Sequence, residues 1–229
     1  MATLTLGSNY STGYKGASIV SSLATNSEDS HPWDAGTGTP RTRLNRESTE
    51  TSIFLLRFDL SSVPAGAIIN SANLKVRILI GDVATNWVVS VRRLKTNWGV
   101  TDTDAGPMER PGTANQASWN KAFCTGTAWG GGGAFAIGTD AEAAEDTPYT
   151  FATIVANDWH TIPCTTCIAN TLTAAYNYGF CLYPDAQITS LYCHFYHDYK
   201  NEKSQIASAP YLEIDYSTIN PNTWMGVDF

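Results

Sequence analysis

The sequence predicts an all-β protein, a sandwich of antiparallel strands with long loops and one short helix. Three observations carry this expectation. Short runs alternate apolar and polar residues, the period of a strand with one face in a core. Turn formers are plentiful, with 18 Gly and 10 Pro among 229 residues. The chain is 43% hydrophobic and only 15% charged, which suits a compact, turn-rich β protein and excludes a disordered one.

Taken in order, Ala2 to Leu6 reads as an opening strand with Leu4 and Leu6 on one side, and Lys15 to Leu23 as a second. Thr25 to Glu50 has no apolar period and is expected to be a long loop. It carries Trp33 and three arginines, Arg41, Arg43 and Arg46, a basic cluster on an acidic chain. Guanidinium groups bind carboxylate or sulfate bidentately, so these four residues are a candidate ligand site; the alternative is a solvated loop paired with nearby carboxylates.

Thr51 to Ile80 holds the clearest alternation. Phe54, Leu56 and Phe58 alternate with Leu55, Arg57 and Asp59. Ser61-Ser62-Val63-Pro64-Ala65-Gly66 then supplies turn chemistry, and Leu74, Val76, Ile78 and Ile80 resume the period with Lys75 and Arg77 on the other face. Trp87 to Leu94 is a further strand. Val100 to Gly138 reads as loop, with Trp119, Trp129 and the glycines 130–133; Trp98, Trp119 and Trp129 are expected to anchor it on the sandwich, the alternative being a sugar-binding platform.

A strand-like run over Thr150 to Ile162 precedes a short helix that Thr166 is placed to cap, with Ile168, Leu172 and Ala175 on one face. Tyr178–Tyr183 and Thr189–Tyr196 read as a hairpin. Cys181 and Cys193 are equidistant from its centre, Gln187, and are expected within disulfide reach, while buried free thiols remain the default state of the cysteines. Pro210 leads a closing strand with Leu212, Ile214 and Tyr216 inward. One sandwich domain is expected over 1–216. The tail 217–229 carries Trp224, Met225, Val227 and Phe229, groups worth about 1.5–3 kcal/mol each when buried, so it is expected to dock on its own domain or a neighbouring subunit.

The succession L-L-R-F-D-L-S-S-V-P-A-G-A-I-I-N-S-A-N-L-K-V-R-I resembles the signature of DNRLRE-type domains, as do V-S-V-R-R-L, A-S-W-N at 117–120, the helix before N-Y-G-F and the Pro-led last strand. The resemblance covers about 51–216. It implies a jelly-roll-type β-sandwich of the kind attached to polysaccharide-degrading enzymes, cell-surface proteins and phage structural proteins, some similar to alginate-binding modules. Phe58, Asp59, Pro64 and Leu74 carry over as scaffold residues; no ligand residue does.

Chemistry is sparse. There is no G-x-S-x-G, H-E-x-x-H or P-loop. Asp102, Asp104, Glu142, Glu145 and Asp146 offer loop carboxylates for a glycosidase pair or a weak calcium site, and His160, Tyr176 and Tyr196 are of the types a uronate lyase uses, but no motif gathers them. Cys164-Thr-Thr-Cys167 lacks a second ligand pair for zinc. His194 and His197, three apart on a strand, point to opposite faces. The expectation is a chain without enzymatic activity, resident metal or cofactor. A formal net charge of -7 argues against nucleic-acid and anionic-membrane partners. No 18-residue apolar run and no signal-peptide pattern occur, so synthesis and folding in a cytoplasm are expected. Two functions follow as expectations. The first is a phage-type virion surface protein, decorating a capsid or tail and contacting other subunits through the apolar tail. The second is an extracellular carbohydrate-binding module for an acidic polysaccharide such as alginate.

Overall fold

The structure, a computed structural model, describes residues 1–7, 14–21, 41–46, 50–81, 86–98, 117, 119–120, 122, 127–185, 192–196 and 208–218. Eleven strands and one α-helix occur among them: β1 Ala2–Leu6, β2 Tyr14–Val20, β3 Arg41–Arg46, β4 Thr51–Phe58, β5 Ile68–Gly81, β6 Trp87–Arg93, β7 Tyr149–Phe151, β8 Trp159–Pro163, α1 Thr165–Thr173, β9 Phe180–Pro184, β10 Tyr192–Tyr196 and β11 Tyr211–Ser217. Every pairing between them is antiparallel, and the fold is an all-β sandwich.

The long strand β5 belongs to both sheets. Its first part lies between β11 and β8, with β1 beyond β11, and this is sheet one. Its last residues pair with β10, from which sheet two continues through β3, β4, β9, β6 and β7, with β2 along β4. Between the sheets lies the main core. Ala72, Leu74, Val76, Ile162, Leu212 and Ile214 from sheet one meet Phe54, Leu56, Phe58, Val89, Val91, Phe180, Leu182 and Phe195 from sheet two. The alternation of Thr51–Ile80 therefore has its expected cause.

Sheet two is also buried on its other side. Ile53, Leu55, Cys181 and Tyr183 on its outer face are covered by Trp98, Ala117, Ala122, Trp129 and Ala134, with Trp119 and Phe135 packed alongside. This second core explains why β4 is buried along both faces from Ser52 to Leu56. Trp98 and Trp129 anchor the long connection after β6 on the sandwich, as expected. The glycines of this connection let it approach the rings closely. Gly133, at φ +71°, lies so near the Trp119 ring that a Cβ would overlap it.

Four expectations about the strands and cysteines need correction. Arg41–Arg46 is a strand, not loop. Its single buried apolar residue, Leu44, gave no period, and backbone pairing to β10 and β4 holds it. The run Thr150–Ile162 is two strands, β7 and β8, which join different sheets. Finally, β9 and β10 do not form a hairpin: β9 pairs with β4 and β6, whereas β10 pairs with β3 and β5. Cys181 is in register with Leu55 and Arg92, Cys193 is in register with Leu44 and Gly81, and β3 and β4 stand between the two strands. Cys181 is a free, buried thiol, so the expected Cys181–Cys193 disulfide is corrected as well.

Candidate functional site

The two outer faces differ, and that difference locates the site. On sheet two the face is a core. On sheet one it is in solvent, with Thr3, Thr5, Thr161 and Pro163 exposed and Trp159 39% accessible. Strand alternation and register decide what stands there. Arg77 is opposite Trp159, and Lys75 lies between Thr161 on β8 and Tyr211 on β11. Inward-facing neighbours on each strand, Val76, Leu212 and Ile162, point into the core.

Trp159 and Tyr211 meet diagonally across β5, ring centroids 5.2 Å apart and 65° between planes. The Arg77 guanidinium lies 6.0 Å from the Trp159 ring, an aromatic–cation contact. Arg77 donates from Nε to the Asn157 carbonyl at 3.0 Å and from Nη1 to Ser208 Oγ at 2.6 Å, which fixes its plane. Lys75 Nζ donates to Thr161 Oγ1 at 2.9 Å and pairs with Glu213 Oε2 at 3.1 Å. Both partners of that ion pair are part exposed, so it is a weak tether that an incoming anion competes with. The result is a shallow strip: two aromatic rings, two held cations, and the Thr161 and Glu213 oxygens.

The three arginines expected as a cluster before β4 all lie on β3. Positions 41 and 43 share one parity along β3 and position 46 the other. Arg46 donates from Nη1 to the Pro184 and Asp185 carbonyls at 3.1 and 2.8 Å, fastening β3 to the end of β9. Arg92, which composition did not single out, stacks 3.6 Å from the Tyr183 ring and pairs with Asp185 at 2.8 Å. The side chains of Arg41 and Arg43, with Trp33, Trp224, Met225, Val227, Phe229, Asp102, Asp104, Tyr196, His194 and His197, lie outside the described residues.

The carboxylates weighed as catalytic are engaged in the scaffold. Glu145 receives Arg93 at 3.1 Å and Asn170 Nδ2 at 2.8 Å, and Glu142 lies within 3.6 Å of the same arginine. Asp146 accepts the Thr166 and Cys167 amides at 2.9 Å each. It thereby caps α1 from 20 residues upstream, because the N-cap residue Cys164 makes no side-chain cap bond. This corrects the capping role expected of Thr166. Burial raises the pKa of the Cys164 and Cys167 thiols and pushes Cys181 up to about 12, so none of the three is a ready thiolate. Tyr176 stacks on Tyr178 at 4.3 Å. Tyr149 and His160 do meet, inside the sandwich. Among the described residues no group of three His, Cys, Asp or Glu side chains is placed to hold a metal ion.

Compared with protein-family models and with curated proteins, the chain matches neither a family nor a relative.

Proposed function

We propose that the chain is a non-catalytic binding module that takes an acidic polysaccharide on the outer face of sheet one. The observation that carries this reading is the Trp159–Tyr211 pair set between Arg77 and Lys75 on an exposed sheet face. A pyranose ring offers C–H groups to an indole face and hydroxyls to Thr161 and Glu213, while a uronate carboxylate suits Lys75. The resemblance to DNRLRE-type domains and the jelly-roll connectivity it implies belong to the same proposal. Calorimetric titration with alginate and with a neutral glucan tests it. Alginate is expected to bind the more tightly, Trp159→Ala to weaken it about 10-fold, equivalent to about 1.4 kcal/mol, and Lys75→Ala to erase the preference for the polyuronate. Unmeasurable alginate binding by the native chain would overturn the reading.

A virion-surface setting, with other subunits or a capsid or tail protein as partners, is the second reading, favoured by the apolar residues Trp224, Met225, Val227 and Phe229. Multi-angle light scattering of the native chain is expected to give a multiple of the 24.8 kDa protomer, reduced by truncation after Thr218. A strict monomer at all concentrations would sink it.

A further inference from the structure

The strand that carries Trp159 outward carries His160 inward. β8 is the edge of sheet one beyond β5, and β7 is the edge of sheet two beyond β6. At these two edges the Tyr149 hydroxyl and His160 Nδ1 are hydrogen-bonded at 3.0 Å. Their rings meet at 6.1 Å, and Phe151, next but one to Tyr149, packs on the imidazole at 4.8 Å. This part-buried side-chain bond joins the two sheets at the edge where β8 has no further strand among the described residues.

The other imidazole nitrogen has no such support. His160 Nε2 is buried and without a hydrogen-bond partner. Trp87 Nε1 is likewise buried and unpartnered, and Trp87 also packs on Phe151. Two of the three such atoms among the described residues therefore belong to side chains around one phenylalanine. With its proton on Nδ1, the neutral imidazole donates to the Tyr149 oxygen and leaves only a lone pair at Nε2. Protonation puts an N–H on Nε2 as well, with no acceptor for it among the described residues.

We propose that the Tyr149–His160 bond is an acid-released clasp between the sheets, which holds β8 and so positions Trp159 on the outer face. Among the described residues the charged and titratable groups around the imidazole are these. From β7 there is Tyr149, whose own ionisation burial pushes upward. From β5 the facing residue is Val76, with Lys75 and Arg77 on the opposite face. On its own side, Asp158 precedes β8 and favours the charged imidazole, but burial outweighs it and lowers the His160 pKa. The folded state thus binds this proton less readily than the unfolded chain. The clasp is intact above about pH 6.5 and weakens as the pH falls below that value.

Its consequence for glycan binding rests on the reading above, but the clasp itself is tested without any glycan. Amide hydrogen exchange of residues 159–162 is compared at about pH 7.5 and about pH 5, after correction for intrinsic rates. In the native chain the corrected exchange is expected to rise about 10-fold at the lower pH, with β1 and β11 unchanged. Tyr149→Phe is expected to show fast exchange in β8 already at the higher pH. His160→Gln, which cannot titrate, is expected to lose the pH dependence; His160→Phe is the second variant should glutamine fail to fold. Corrected exchange that is the same at both pH values in the native chain, or a pH dependence that survives in the His160 variants, would overturn the clasp. Alginate binding that is absent while the exchange behaves as expected would overturn only the glycan reading.

Discussion

Gly179→Ala is expected to be the most damaging single-atom addition in the described structure, costing about 4 kcal/mol or more of a total stability of about 5–15 kcal/mol. Gly179 sits at φ +80°, where an L-residue is strained by about 1–2 kcal/mol before any contact is considered. A Cβ there would also overlap the Leu56 carbonyl oxygen and come within 2.9 Å of Arg57 Cα, both of them backbone atoms of central β4. Neither can rotate away. The surrounding loop cannot yield either: Asn177 Nδ2 donates to the Phe58 carbonyl at 2.7 Å, the Gly179 amide donates to Asn177 Oδ1 at 3.0 Å, and the Leu94 amide donates to the Gly179 carbonyl at 2.9 Å. Trp98 Nε1 donates to the Tyr178 carbonyl at 2.7 Å, so the second core is tied to the same three residues. Denaturant unfolding of the variant, monitored by circular dichroism, measures the loss. A cost below about 1 kcal/mol would mean that β4 and this loop can move apart.

How much of this was legible in the sequence depended on whether one strand carried its own signal. Phe54, Leu56, Phe58, Leu74, Val76 and Ile78 announce the main core because each lies in a run with a full period. Leu55 and Ile53 announce nothing, because they alternate with the core residues and are followed on that side by Arg57 and Asp59, as a solvent face would be. What buries them comes from residues 94–141, and no local pattern reports a contact that distant. Arg41–Arg46 was opaque for a different reason: with Leu44 as its only buried apolar residue, it is a strand by pairing and not by pattern. The Cys181–Cys193 expectation failed because chain symmetry about Gln187 says nothing about partners, and each strand pairs with other neighbours.

The candidate site shows the same limit. Lys75 and Arg77 were readable as the outward residues of a strand, and Tyr211 and Trp159 as members of strand-like runs. Only the order β8–β5–β11 sets them side by side, and that order links residues more than 80 and 130 positions apart. The signal that could have found them is a composition contrast: cations and aromatics at outward positions of strands whose inward positions are aliphatic. Arg41, Arg43 and Arg46 stand out in the sequence because they are close along the chain, and of these Arg46 fastens β3 to the end of β9.

Asp140→Ala is expected to open the second core while leaving the outer face of sheet one intact. Asp140 is almost fully buried, and its carboxylate is the acceptor around which residues 130–136 fold. Oδ1 receives the Gly130 amide at 2.7 Å; Oδ2 receives the amides of Gly131 at 2.9 Å and Ala136 at 3.3 Å. Its backbone carbonyl accepts the Lys95 amide at 2.7 Å, which ties the same turn to the end of β6. Removing the carboxylate takes the acceptor from three part-buried amides at once, and a hydrogen bond to a charged group is worth about 1.5–3 kcal/mol, so a loss of about 3 kcal/mol or more is expected. The loss has an address. Trp129 and Ala134 flank this turn and cover Leu55 and Tyr183, so Trp129 is expected to become solvated, with a red-shifted emission. Trp159 and Tyr211 are on the other sheet, so alginate affinity of the variant that remains folded is expected to stay within about 2-fold of the native value, an effect below about 0.5 kcal/mol. Asp140→Asn keeps one acceptor oxygen but turns an N–H group toward the amides, so it is expected to fall between the two. A variant that loses less than about 1 kcal/mol would show that the second core holds without this turn. One that loses alginate binding in proportion to its stability would show that the two faces of the sandwich are coupled through β4, β9 and the core between the sheets.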